Sequence, residues 1–397
     1  MSSRLCLFCP NPLSCNTSPE HILLDALGGR ATTRRVICTS CNNHFGSTID
    51  KAFAKQIEST RTLLNLQSGS KKTPPNQRFK SATGDAYIVR PDGAVVNDGK
   101  PITFTHGANG AIKVSLNVET WEDVSKFIPN IAAKTGVSEE QVRRQMETAE
   151  ARRISQAAPP FKTDLSFGGH DPLRSIVKSC MVLCASKTDL ESTRGLGYAA
   201  ARSFVKHGSE EFLNNEIVLE EREIPNIELL ERDYGPIFNI IFCKSDTTGR
   251  MTAYYGLYNT AYWHIVLAKS GARLNQTFGV ISDPREPSHW SHFDAKRFDL
   301  DVSWLSCPTV GGSDRIKKSL AVAFAQRDEN MREDHLRSII HETMQDCGIQ
   351  YGDVITQEFC DILAQRTAFW IMRSRHEQLF SATQIKTALD QIATRKK

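Results

Sequence analysis

The chain has 397 residues, 40% hydrophobic and 24% charged, which suits a globular protein with more than one core. No apolar run approaches the roughly 18 residues of a membrane helix, and Met1-Ser-Ser-Arg-Leu-Cys6 lacks a signal-peptide core, so a cytoplasmic protein with reduced thiols is expected. The net charge of +4 is uneven: residues 1–80 hold 11 Lys/Arg against 4 Asp/Glu, leaving the remainder slightly acidic, and such a basic end attracts polyanions such as nucleic acid.

In chain order, Cys6-Leu-Phe-Cys9 is a first knuckle, followed by a polar loop to Pro19. Glu20 to Leu24 can be extended, Gly28-Gly29 supplies a tight turn, and Ala31 to Ile37 has strand chemistry. A second knuckle, Cys38-Thr-Ser-Cys41, opens an amphipathic helix marked by Phe45, Ile49, Phe53 and Ile57. Residues 1–66 are therefore read as one module. Residues 67–80, with Lys71, Lys72, Arg78 and Lys80 among Ser, Pro and Gly, are read as a basic linker.

Residues 81–157 read as a small antiparallel sheet over Ala86 to Leu116, its turns at Asp92-Gly93, Asp98-Gly99 and Asn109-Gly110. A helical pair follows from Trp121 to Gln156, broken at Gly136 and restarted by a Ser138 cap. Packing is favoured over DNA reading for that pair. Pro159-Pro160 marks a boundary. Residues 158–397 read as a mixed α+β recognition or sensor domain with strands near 237–243, 251–258, 261–268 and 278–281, then a helical C-terminal part. Tyr254, Tyr255, Tyr258, Tyr262 and Trp263 could stack bases, but strand aromatics more often form core. The fold class expected is α+β.

Four of the eleven cysteines pair in Cys-x-x-Cys spacing, which suits one tetrahedral structural zinc held by Cys6, Cys9, Cys38 and Cys41. Cys15 is taken as a bystander. Cys180, Cys184, Cys243, Cys307, Cys347 and Cys360 are read as small buried hydrophobes. A closed Cys₄ site leaves no open position for chemistry. Glu20, His21 and Asn42 add what zinc alone does not: an imidazole to activate water, and a carboxylate and carboxamide as hard oxygen ligands suiting Mg²⁺ or Mn²⁺.

In order, Cys-x-x-Cys, Glu20-His21-Ile22, Leu27-Gly28-Gly29 and Cys-x-x-Cys-Asn42-Asn43-x-Phe45-Gly46-x-x-Ile49-Asp50 resemble the HNH endonucleases with a ββα-metal (treble-clef) finger. The closest likeness is to the subgroup with Glu-His and Cys-Asn variants, and it covers about the first sixty residues. The resemblance implies His21 as the general base and Glu20 and Asn42 as ligands of a catalytic divalent ion. Thr33 stands where the family's orienting asparagine is expected, leaving a main-chain carbonyl as a candidate to orient His21. Asp50 reads as structural and His44 as a phosphate or metal contact. The function implied is endonuclease cleavage of DNA, with RNA as the other substrate, in restriction or phage defence. The alternatives are a non-catalytic zinc module that docks nucleic acid, and a nuclease released by a small-molecule activator or homo-oligomer sensed at the C-terminal region.

Overall fold

The computed structural model describes residues 4–14, 17–81, 84–106, 110–116, 118, 121–147 and 163–376. Cys15, Asn109, the stretch 148–156 of the helical reading, Pro159-Pro160 and the tail from 377 lie outside these. The chain divides into two compact units, one formed by residues 1–77, 90–94 and 164–330, the other by 78–89, 95–163 and 331–397.

In the first unit, strands β1 (Glu20–His21) and β2 (Thr32–Thr33) form a short antiparallel hairpin, followed by helices α1 (Thr39–Ser47), α2 (Ile49–Gln56) and α3 (Glu58–Leu64). With its knuckles, this is the ββα order expected from the sequence. Residues 67–72 fold back over the hairpin turn: the Gly69 amide donates to the Asp25 carbonyl at 2.7 Å, and Ser70 Oγ to Asp25 Oδ2 at 3.1 Å.

The second unit holds strands β3 (Gln77–Lys80), β4 (Ala86–Val89) and β5 (Val95–Asn97) in one sheet, and β6 (Ile102–His106) with β7 (Ile112–Leu116) in another. The single sheet expected over 86–116 is thus two. Gly99 and Pro101 separate β5 from β6, and proline has no N–H to continue a ladder. Helices α4 (Trp121–Val124), α5 (Ile128–Thr135) and α6 (Glu139–Glu147) follow, α5 ending at Gly136 with φ 72°. Ser138 Oγ accepts the Gln141 amide at 3.3 Å, the cap expected there. Ile131 and Val142 are buried in a small core with Ile102, Phe104 and Val114, so the helical pair packs on the β6–β7 hairpin.

The first unit resumes with α7 (His170–Lys187), α8 (Leu190–Arg194), α9 (Ala199–His207), α10 (Glu210–Glu216), strand β8 (Ile217–Leu219) and α11 (Ile227–Tyr234). Strands β9 (Asn239–Ser245), β10 (Met251–Leu257), β11 (Ala261–Ala268), β12 (Thr277–Ser282) and β13 (Trp290–Asp294) complete a six-stranded antiparallel sheet in the order β13-β12-β9-β10-β11-β8. The period-2 alternation of strands divides its side chains between two cores. Ile241, Ala253, Tyr255, Trp263 and Val280 face α7, α9 and the N-terminal module, while Ile240, Phe242, Tyr254, Tyr262 and Ile281 face α11 and Phe298–Leu305. The five aromatics named above are all buried. They are core, as weighed. Helices α12 (Val302–Ser306), α13 (Ser313–Asp346) and α14 (Gln357–His376) make the C-terminal part helical.

Helix α7 is covered on every side, with Leu173 and the eleven-residue stretch 175–185 almost wholly buried, as expected of a helix lying between a sheet and another layer. Cys180, Cys184 and Cys243 are small buried hydrophobes here. Cys307 and Cys360 are exposed, because they lie at the end of α12 and on an outer face of α14 rather than in a core.

Candidate active site

The knuckles meet because Leu7 donates to the Val36 carbonyl at 2.9 Å and Phe8 packs edge-on against Phe45, with ring centres 5.1 Å apart. The four sulfurs of Cys6, Cys9, Cys38 and Cys41 lie within 4.8 Å of one another. Two amides donate to Cys6 Sγ, Cys38 at 3.3 Å and Phe8 at 3.5 Å. The Cys6 thiol is lowered to about 5, first by the hydrogen bond from Cys41 and then by those amides, while Cys41 is raised in turn. Clustered sulfur with N–H···S support fits zinc. Among the described residues it is the only group of three or more Cys, His, Asp or Glu side chains so placed.

Beside this cluster, His21 is half-buried on β1 opposite Thr32, and its Nδ1–H donates to the Gly29 carbonyl at 3.2 Å. That assignment of the proton leaves Nε2 as the basic nitrogen. Thr33 pairs with Glu20 and accepts from the Arg35 amide, so it takes no part in orienting the imidazole. The main-chain carbonyl does.

Gly29 is held from several sides. A Cβ on it would collide with the Leu23 carbonyl, and one on Gly69 would collide with the Gly29 carbonyl itself. Gly28 has φ 88°, the left-handed region glycine favours, and lies against Pro284. Asn239 on β9 is fully buried, donates from Nδ2 to the Leu27 carbonyl at 2.7 Å, and accepts the Tyr258 amide at 3.0 Å. The turn beneath His21 is therefore fastened to the large sheet.

Glu20 faces the other way and is 3% exposed. Its Oε1 accepts Lys178 Nζ of α7 at 2.5 Å, and the same ammonium reaches Asp50 Oδ2 of α2 at 2.6 Å. Ser175, one turn before Lys178, donates to Asp50 Oδ1 at 2.6 Å. Burial raises the Glu20 carboxyl above its usual range against the pull of Lys178, and the two carboxylates hold the Lys178 ammonium above its usual range despite its burial. Those directions agree once the charges are counted. Two carboxylates share one ammonium, so the cluster keeps a surplus negative charge that a proton or a second cation can meet.

Asn42 lies in the first turn of α1, where its Nδ2 donates to the Ser18 carbonyl at 3.3 Å. It does not cap the helix. Neither Asn42 Oδ1 nor Glu20 Oε2 has a hydrogen-bond partner among the described residues. By chemistry, a carboxylate oxygen and a carboxamide oxygen are the hard donors that suit a divalent cation of the Mg²⁺ type. His44 is exposed on the last turn of α1.

Residues 6–58 match the family model described as HNH endonuclease. The N-terminal module carries the HNH signature. No curated protein and no solved structure matches the chain. The HNH match ends at residue 58, so Ser175, Lys178 and Asn239, which hold the candidate site, lie outside it. Sequence reasoning missed all three. Lys178 had a visible signal, as the lone charge in the run Ser175-Ile-Val-Lys-Ser-Cys-Met-Val-Leu-Cys-Ala185.

Proposed function

We propose that this protein is a metal-dependent endonuclease that hydrolyses phosphodiester bonds of DNA, His21 acting as general base. The observation that carries the reading is the His21–Gly29 hydrogen bond within a segment matching the HNH endonucleases. With Nδ1–H tied to a carbonyl, Nε2 can take the proton of a water as that water attacks phosphorus. A divalent ion, Mg²⁺ or Mn²⁺, held by Glu20 and Asn42 would neutralise charge on the phosphate and the leaving oxygen. Arg30, Arg35, Lys51 and Lys55 are exposed around the same module and would meet neighbouring phosphates. The zinc held by the four cysteines would supply folding free energy rather than chemistry.

Restriction or phage defence is the cellular role we assign, on the family likeness alone. The direct test is plasmid nicking by the full chain with Mg²⁺. Wild type should cut, and His21→Ala should lose roughly 10²–10⁴-fold in rate while keeping its fold and zinc. A folded His21→Ala protein cutting at the wild-type rate would end this assignment.

A further inference from the structure

The HNH match stops at residue 58, yet the carboxylate assigned to the divalent ion is in contact with a residue 158 positions further along the chain. Lys178 is 1% exposed, too deep to reach a phosphate, and its ammonium has two carboxylate partners, Glu20 and Asp50. Asp50 is itself fixed by Ser175 on the same face of α7. Burying three charges is costly unless each is paired. The arrangement is built, and its members come from β1, α2 and α7.

We propose that Lys178 is a positioning residue of the candidate centre: its ammonium holds Glu20 by Oε1 and, balanced by Asp50, sets the charge that a divalent ion meets at Glu20. This rests on the assignment of that ion to Glu20 made above. Lys178 is the near positive charge that weakens attraction for a second cation, and Asp50 offsets it. Removing either should shift metal affinity in opposite directions, because the electrostatic interaction between charges a few ångströms apart remains large in a buried site. An ion held away from Glu20 predicts no such pair of shifts, and a lysine that serves folding alone predicts no slower cutting by folded Lys178→Met at saturating Mn²⁺.

The experiment uses the full-length zinc-loaded protein, titrated with Mn²⁺ and read by calorimetry and by the electron paramagnetic resonance signal of free Mn²⁺, alongside plasmid nicking. Asp50→Asn keeps the shape and the Ser175 contact but removes one negative charge, and it should weaken Mn²⁺ binding about tenfold or more. Lys178→Met should tighten binding by a comparable factor, yet cut more slowly at saturating Mn²⁺ because Glu20 has lost its holder. Should Lys178→Met not fold, Asp50→Asn decides alone. Wild-type Mn²⁺ affinity in folded Asp50→Asn would overturn the proposal while leaving the endonuclease reading in place. Wild-type affinity in Glu20→Gln would instead remove the ion from Glu20, and this inference with it.

Discussion

At the scale of single residues, the candidate base depends on an amide plane rather than on a side chain. The Gly29 carbonyl receives His21 Nδ1–H, and Gly29 and Gly69 are in contact where neither can carry a Cβ. Gly29→Ala should therefore push the carbonyl off His21 and overpack the turn. We expect a loss of about 1–3 kcal/mol in stability, read from urea unfolding, together with slowed cutting at unchanged zinc content. A Gly29→Ala protein with wild-type stability and rate would mean the turn tolerates the shift. His21, Glu20, Asn42 and the four cysteines were all legible as candidates from residue type and spacing. Their partners were not, because a carbonyl has no letter in a sequence and Lys178 and Asn239 meet the module only through tertiary packing.

Helix α7 sets the terms at the scale of elements. Its burial on all sides follows from an apolar run with one lysine, and that lysine is satisfied by Glu20 and Asp50. Lys178→Met should destabilise the protein by about 3–5 kcal/mol at neutral pH, since it leaves two carboxylates buried without their cation. The sign with pH follows from the raised folded-state value of Lys178. Its contribution is complete below the unfolded value of about 10.5 and is lost as pH rises through the higher folded value. Equilibrium unfolding of wild type and variant should show a gap that closes in alkali as the Lys178 ammonium of the wild type is lost, and that narrows in acid as Glu20, raised by burial, takes up a proton in the variant.

The knuckles make a separate prediction at the same scale. A strong zinc chelator, or Cys38→Ser, should release the metal and lower the melting temperature of the unit that contains them. An unchanged melting curve after zinc loss would show that the cysteines are not a folding element. Strands β9 to β12 were legible because each is a long β-rich run bounded by turns. Strands β8 and β13 were not, being short or mixed in polarity, and they pair only because the neighbouring strands present free edges.

For the molecule as a whole, the HNH segment is one wall of a larger core. Ile49, Phe53 and Ile57 are buried with α7 and the sheet, Phe53 lies 6.5 Å from Tyr255 ring to ring, and Gln56 Nε2 donates to the Gly168 carbonyl at 2.6 Å. Each large apolar side chain buried there contributes roughly 1.5–3 kcal/mol. A fragment of residues 1–66 would expose that face and leave Glu20 and Asp50 without Lys178. Zinc-loaded, it should lack the dispersed amide spectrum of a folded domain, and a well-dispersed spectrum would contradict the shared core. The sequence suggested a module ending near residue 66 because composition changes there. Burial of the α2 face against residues 164–330 could not be seen from that change.

The central claim is tested most directly by one cleavage experiment on the full chain. Supercoiled plasmid, single-stranded DNA and RNA are incubated with wild type and His21→Ala, each zinc-loaded, with and without Mg²⁺ or Mn²⁺. The account predicts nicking of DNA by wild type only when the divalent ion is present, and a rate at least about a hundredfold lower for His21→Ala. Retention of DNA without cutting in either metal, or equal cutting by the two proteins, would contradict it.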